Sequence, residues 1–118
     1  MNLAELFRYE TDLQTLPAGQ TLFNQGDPGD LMYVLISGTA EINVGNRVVE
    51  TAEAGAILGE MAMIDEGTRS ARVIASSDCR LLPIDRKRFN FLIQQTPNFA
   101  IHVMRVIATR LRKADSLL

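Results

Sequence analysis

The feature that most restricts the fold is a change of hydrophobic period near Asp85. Before it, apolar residues come in short runs divided by Gly, Asn, Asp and Pro, as in DLQTLPAGQTLFNQGDPGDLMYVLISGTAEINVGNRVVETAEAG. Ala40, Ile42 and Val44 alternate with Glu41 and Asn43, the period of two that sends every second side chain to one face of a strand. VGNR at 44–47 predicts a tight hairpin turn, since Gly and Asn tolerate positive φ. GDPGD at 26–30 is a second turn signal. RVIAS and CRLLPID read as two more strands. Short strands at this turn spacing predict a mainly β fold, a β sandwich or barrel of jelly-roll type, and the coarse layout is a β roll over about residues 11–85.

After Asp85 the period becomes helical. DRKRFNFLIQQ offers Asp85 as N-cap and sets Phe89, Leu92 and Ile93 on one face. Pro97 divides this helix from the next, in which Phe99, Val103, Ile107 and Leu111 recur every four residues and Val106 widens the stripe. Residues 2–9 predict a short N-terminal helix with Leu3, Leu6 and Phe7 on one side. The 118 residues suit a single domain, 1–118, with helices over about 86–118 packed against the roll or a partner.

Composition narrows the function. An apolar content of 47% supplies a core and argues against disorder. A net charge of −2 disfavours non-specific nucleic-acid binding, which Lys and Arg drive by neutralising phosphates. Cys79 is the only cysteine, so no intrachain disulfide forms and a reducing, cytoplasmic setting is expected. The longest strictly apolar run, Leu31 to Ile36, is far short of the roughly 20 residues of a membrane span. MNLAELFRYE lacks the pattern of a secretory signal.

The segment GEMAMIDEGTRSA, Gly59 to Ala71, interrupts the β pattern. Glu60 to Ile64 are fair helix formers between Gly59 and Gly67. A helical turn there would offer free backbone N–H groups to an anion. Arg69 adds a charged donor fork suited to phosphate, Ser70 a hydroxyl, and Gly59 close backbone approach. A carboxylate at Glu60 would repel phosphate unless it met another part of the ligand, such as a sugar hydroxyl. The set asks for a phosphorylated ribose.

Gly59-Glu60-Met61-Ala62-Met63-Ile64, then Asp65 to Thr68, then Arg69-Ser70-Ala71, resembles the phosphate-binding cassette of cyclic nucleotide-binding domains. LPAGQTLFNQGDPGDLMYVLISGTAEI is similar to that family's strand-and-turn signature, and the last two helices to its hinge and lid helices. The resemblance implies a β roll of cyclic nucleotide-binding type and a ligand site of Gly59, Glu60, Met61, Ala62, Arg69, Ser70 and Ala71. Glu60 would accept from the ribose 2′-hydroxyl and Arg69 would pair with the cyclic phosphate. Ser70 and the N–H groups of Ala62 and Ala71 would complete the cradle. Ser70, where the family's cGMP binders tend to carry Thr, implies cAMP in preference to cGMP. Two departures stand out. Arg72 follows the Arg-Ser-Ala motif, and near the base RLRKADSLL offers Ser116 without a clear match to the activator branch.

Other residues have plainer readings. Glu60 and Arg69 could be a helix-end carboxylate and its salt-bridge partner. Gly19, Gly26, Gly29 and Gly38 read as turn glycines. Met32, Met61, Met63 and Met104 read as core or pocket wall. Arg105, Arg110, Arg112 and Lys113 read as a solvated basic helix end that complements the helix dipole. His102 is the only histidine, so no metal cluster is expected. No nucleophile or acid–base constellation stands out, so the expected class is a binding module and not an enzyme.

The expected role is a cytoplasmic cyclic nucleotide sensor acting on an unidentified protein effector through its C-terminal helices. Two alternatives stay open. One is a nucleotide-independent docking or oligomerisation module, a homodimer through the last helix. The other is the sensor fragment of a longer transcription regulator, since no DNA-binding motif follows the last helix here.

Overall fold

The computed structural model describes residues 1–116, with side chains through Ala114. A short helix α1 (Leu3–Leu6) is followed by strands β1 (Gln14–Leu16), β2 (Thr21–Phe23), β3 (Met32–Ser37), β4 (Ala40–Val44), β5 (Arg47–Ala52) and β6 (Ile57–Leu58). A 3-10 turn (Glu60–Met63) leads to β7 (Arg72–Ala75) and β8 (Cys79–Ile84), then helices α2 (Arg86–Gln95) and α3 (Pro97–Ser116). The strands form two four-stranded sheets, β1-β8-β3-β6 and β2-β7-β4-β5. Every pairing is antiparallel. This is the double-sheet roll with flanking helices expected from the turn spacing.

Alternation decides what each sheet packs against. In β3, Met32 and Val34 enter a core shared with the helices, whereas Tyr33 and Leu35 enter the core between the sheets. β8 divides in the same way, with Leu82 and Ile84 toward the helices and Cys79 and Leu81 inward. The first sheet is therefore buried on both faces, which is why β3 reads as an unbroken apolar run. The second sheet has one face inward, so β4 and β5 carry polar residues on the other.

Gly45 takes φ +61 in the two-residue turn that joins Val44 to Arg47, a conformation that favours glycine. The β4–β5 ladder is not regular: Asn43 pairs with Val48 but Ile42 pairs with Glu50, so Val49 is an extra residue. That bulge moves Glu50 to the face it shares with Ile42.

The helices have local causes. The Asp85 side chain accepts from the Arg88 N–H at 2.8 Å and caps α2. Pro97 stops α2 and starts α3, the position where a missing N–H costs nothing. Phe99 is fully buried, edge-on to Phe7 at 6.5 Å and to Phe89 at 5.9 Å, and so ties α3 to α1 and α2. Three expectations need correction. The first helix spans only Leu3–Leu6, and Leu6 is exposed while Leu3 and Phe7 are buried. Met104 lies on the outer face of α3 and is exposed, not core. Leu111, the last residue of the apolar stripe, is 61% exposed because α3 has passed the end of the helix core by then.

Candidate functional site

The site is built where β6 ends. Gly59 takes φ +71, which turns the chain out of the strand and opens the 3-10 turn. The Ala62 N–H donates to the Gly59 carbonyl at 3.2 Å, so this N–H is already engaged within the turn. Glu60 is buried at the start of the turn and Met63 packs into the helix core. The chain returns past Thr68, which bridges to Pro28. Arg69 is then pinned by its backbone: its N–H donates to Asp27 O at 2.7 Å, and the Gly26 N–H donates to Arg69 O at 2.8 Å.

The Arg69 side chain is 9% exposed and closely caged. Nη2 donates to Leu31 O at 2.8 Å and Nη1 to Gly59 O at 3.3 Å. The guanidinium lies over the Phe23 ring at 4.1 Å, a cation–π contact. A methyl group at Gly29 would sit 2.2 Å from Nε, and one at Gly59 would sit 2.5 Å from Nη1. Gly29 is therefore a close-approach glycine and not a turn glycine; its φ is ordinary. Nε is buried and has no hydrogen-bond partner among the described residues. A buried donor without a partner is costly and marks a place for an acceptor.

Glu60 does not pair with Arg69. Its Oε2 lies 2.8 Å from Nη1 of Arg110 on α3. The same guanidinium forks Glu50 on β5, with Nε to Oε1 at 3.0 Å and Nη2 to Oε2 at 3.1 Å, and Nη2 also donates to Ile57 O at 2.8 Å. Burial alone would lower the Arg110 pKa, but the hydrogen bond to Glu50 and the charge of Glu60 hold it above its ordinary value. Burial likewise works against the Glu50 carboxylate, and Arg110 more than offsets it, so the Glu50 pKa falls below its usual range. Arg110 is thus not part of a solvated basic end. It joins the second sheet, the cassette and α3 in one ion-pair cluster.

Between these groups lies a cavity of about 570 Å³, within the range of small-molecule sites. Phe23, Ile42, Leu58 and Val73 supply apolar walls from the sheets, and Ile107, Leu111 and Ala114 close it from α3. Gly59, Glu60, Met61, Ala62, Arg69, Ser70 and Ala71 all line it, together with Gly29, Thr68 and Arg110. Its wall combines a cation, a carboxylate, exposed Ser70 and a large apolar surface. That combination offers complementary partners to an anionic group, a hydroxyl and an apolar part. Sequence reasoning missed Phe23, Gly29, Glu50 and Arg110. The Ser116 side chain lies outside the described residues. Among those described, no cluster of three or more His, Cys, Asp or Glu side chains could hold a metal ion.

The cyclic nucleotide-binding domain matches residues 13–96. The chain belongs to the cyclic nucleotide-binding domain family. It is 36% identical over 104 residues to the cyclic AMP receptor protein of Thermus thermophilus, a match covering 84% of this chain and 48% of that protein. The crystal structure of Thermus thermophilus catabolite activator protein superposes with TM-score 0.78 at 33% identity, over 96% of this chain and 54% of that one. Cyclic AMP-bound PfPKA-R superposes with TM-score 0.80 at 26% identity, over 90% of this chain and 36% of that one. The chain spans about half the length of the curated relatives it matches. As in its regulatory relatives, the domain is a β roll of two antiparallel sheets with a few helices.

Proposed function

We propose that this domain senses cAMP, in preference to cGMP, and passes occupancy on through its C-terminal helices. The observation that carries this reading is the caged Arg69, whose buried Nε lacks an acceptor beside a cavity that also holds Glu60. In this reading the singly charged cyclic phosphate meets Arg69 and Ser70, the ribose 2′-hydroxyl donates to Glu60, and the base fills the apolar space under Ile107, Leu111 and Ala114. The choice of cAMP rests on Ser70 at the cassette position and on the ligand named in the two relatives above. The domain acts as a binding module, not an enzyme, in a cytoplasmic setting and on a protein effector. Output follows from α3: a ligand that contacts it changes the balance between its arrangements only by binding one better than another.

Thermal unfolding with cAMP, cGMP and 5′-AMP tests this. A ligand at about 100 times its dissociation constant adds about 2.7 kcal/mol to stability, which raises the midpoint by roughly 6–16 °C for a domain of this size. The expected result is a rise with cAMP, a smaller one with cGMP and none with 5′-AMP. No rise with either cyclic nucleotide overturns the reading and favours a docking module.

A further inference from the structure

Glu50 has no role in the reading above, yet it is the residue that engages the most of Arg110. It lies on β5, the edge strand of its sheet, directly opposite Ile42. Ile42 lines the cavity, so the β-bulge aims the Glu50 carboxylate inward. An inward charge on an edge strand is one device against edge-to-edge aggregation. That purpose does not require a partner on a distant helix, and Glu50 has one: two parallel hydrogen bonds from Arg110, at 3.0 and 3.1 Å.

The fork has a consequence for Glu60. Glu50 takes Nε and one hydrogen of Nη2, and Ile57 O takes Nη2 as well. Nη1 is what meets Glu60, through Oε2. A carboxylate has roughly four acceptor sites, so a single charged donor orients Glu60 and leaves it able to accept from a hydroxyl. Without Glu50 the planar fork of Arg110 is free to turn and take both oxygens of Glu60, the geometry guanidinium and carboxylate prefer.

We infer that Glu50 is a positioning residue for the hydroxyl-accepting carboxylate: by holding Arg110 side-on, it keeps Glu60 open to a ligand hydroxyl and couples that subsite to α3. The inference rests on the cyclic nucleotide reading above. It predicts that Glu50, which touches no ligand, governs recognition of the 2′-hydroxyl.

The test compares the affinity of cAMP with that of 2′-deoxy-cAMP in the wild type, Glu50→Gln, Glu60→Gln and the double variant. The wild type is expected to prefer cAMP by about 10-fold or more, the scale of one hydrogen bond to a charged group. Glu50→Gln is expected to reduce that ratio to about 3-fold or less while 2′-deoxy-cAMP binds within about 3-fold of wild type. The double variant should match Glu60→Gln alone, as residues acting through one another do. Arg110→Lys, which keeps the charge but not the fork, should collapse the ratio too and serves if Glu50→Gln does not fold. A wild-type ratio in folded Glu50→Gln overturns the inference. A wild type that binds cyclic nucleotides without preferring the 2′-hydroxyl also overturns it, but leaves the cyclic nucleotide reading standing. Failure of the wild type to bind either one refutes that reading first and this one with it.

Discussion

Gly29→Ala isolates the placement of Arg69 without touching its charge. A Cβ at position 29 would stand 2.2 Å from Nε, 2.4 Å from Cζ and 2.5 Å from Nη2 of Arg69. Carbon contacts settle near 3.5–4.0 Å, so the guanidinium must retreat by about 1 Å or more. The backbone at Gly29 does not resist the change, because its φ is ordinary. What gives way is a side-chain tip, together with its 2.8 Å bond to Leu31 O and its stacking on Phe23. Losing a hydrogen bond from a charged group costs about 1.5–3 kcal/mol. Replacing glycine recovers roughly 0.4–1 kcal/mol through the unfolded chain. The net cost to the fold is about 1–2 kcal/mol, a fall in midpoint of roughly 3–8 °C. Ligand affinity should fall further, by about 10- to 150-fold, as if the phosphate's partner had been removed. Calorimetric titration and melting of Gly29→Ala and the wild type give the answer. A Gly29→Ala protein that binds cAMP as tightly as the wild type refutes the claim that the cage around Arg69 sets the affinity.

Other expectations follow from single contacts. Arg86 donates to Met63 O and Ala62 O, both at 3.0 Å, and so ties the first turn of α2 to the cassette; Arg86→Ala should speed amide exchange at the start of α2 with a stability loss of about 1 kcal/mol. Glu50 has a folded pKa below its ordinary 4.5, so its contribution is complete above that value and is lost as pH falls through the lower folded value. Glu50→Gln should therefore flatten the acid limb of the midpoint-against-pH curve below 4.5, and an unchanged limb would show that the ion pair does not stabilise the fold. The Cys79 thiol is 2% exposed and burial raises its pKa, so a thiol reagent should label it only at the rate of unfolding.

How much of this was legible depended on whether the relevant partner was near in sequence. Ala40, Ile42 and Val44 announce β4 because one face of that strand is buried and the other is not. β3 shows no alternation because both its faces are buried, and its strand character had to come from length and flanking turns. The cassette was legible because Glu60 and Arg69 stand nine residues apart, with Gly59 before them and Gly67 between. Arg110 was not. A cation near a helix end ordinarily faces water, and only the packing of α3 across the cavity brings it to Glu60. Glu50 was hidden by one residue. Counting back from the Val44–Arg47 pair in a regular hairpin sets Glu50 opposite Glu41 on the outer face, whereas the bulge sets it opposite Ile42. Phe23 and Gly29 act on Arg69 from another part of the chain, which no local pattern records.

The unequal anchoring of α3 makes it a lever. Phe99 and Val103 are locked in the helix core, at 0% and 1% exposure, while Ile107, Leu111 and Ala114 roof the cavity. From Val103 to Ala114 the helix runs roughly 17 Å at ~1.5 Å per residue. A bend of about 10° at the fulcrum carries the far end by about 3 Å and leaves the buried pivot where it is. Arg110 ties this outer arm to Glu50, Glu60 and Ile57 O, so in the proposed reading a hydroxyl competing for Glu60 would act where mechanical advantage exists, and a small exchange of hydrogen bonds would be read out as a displacement at the tip.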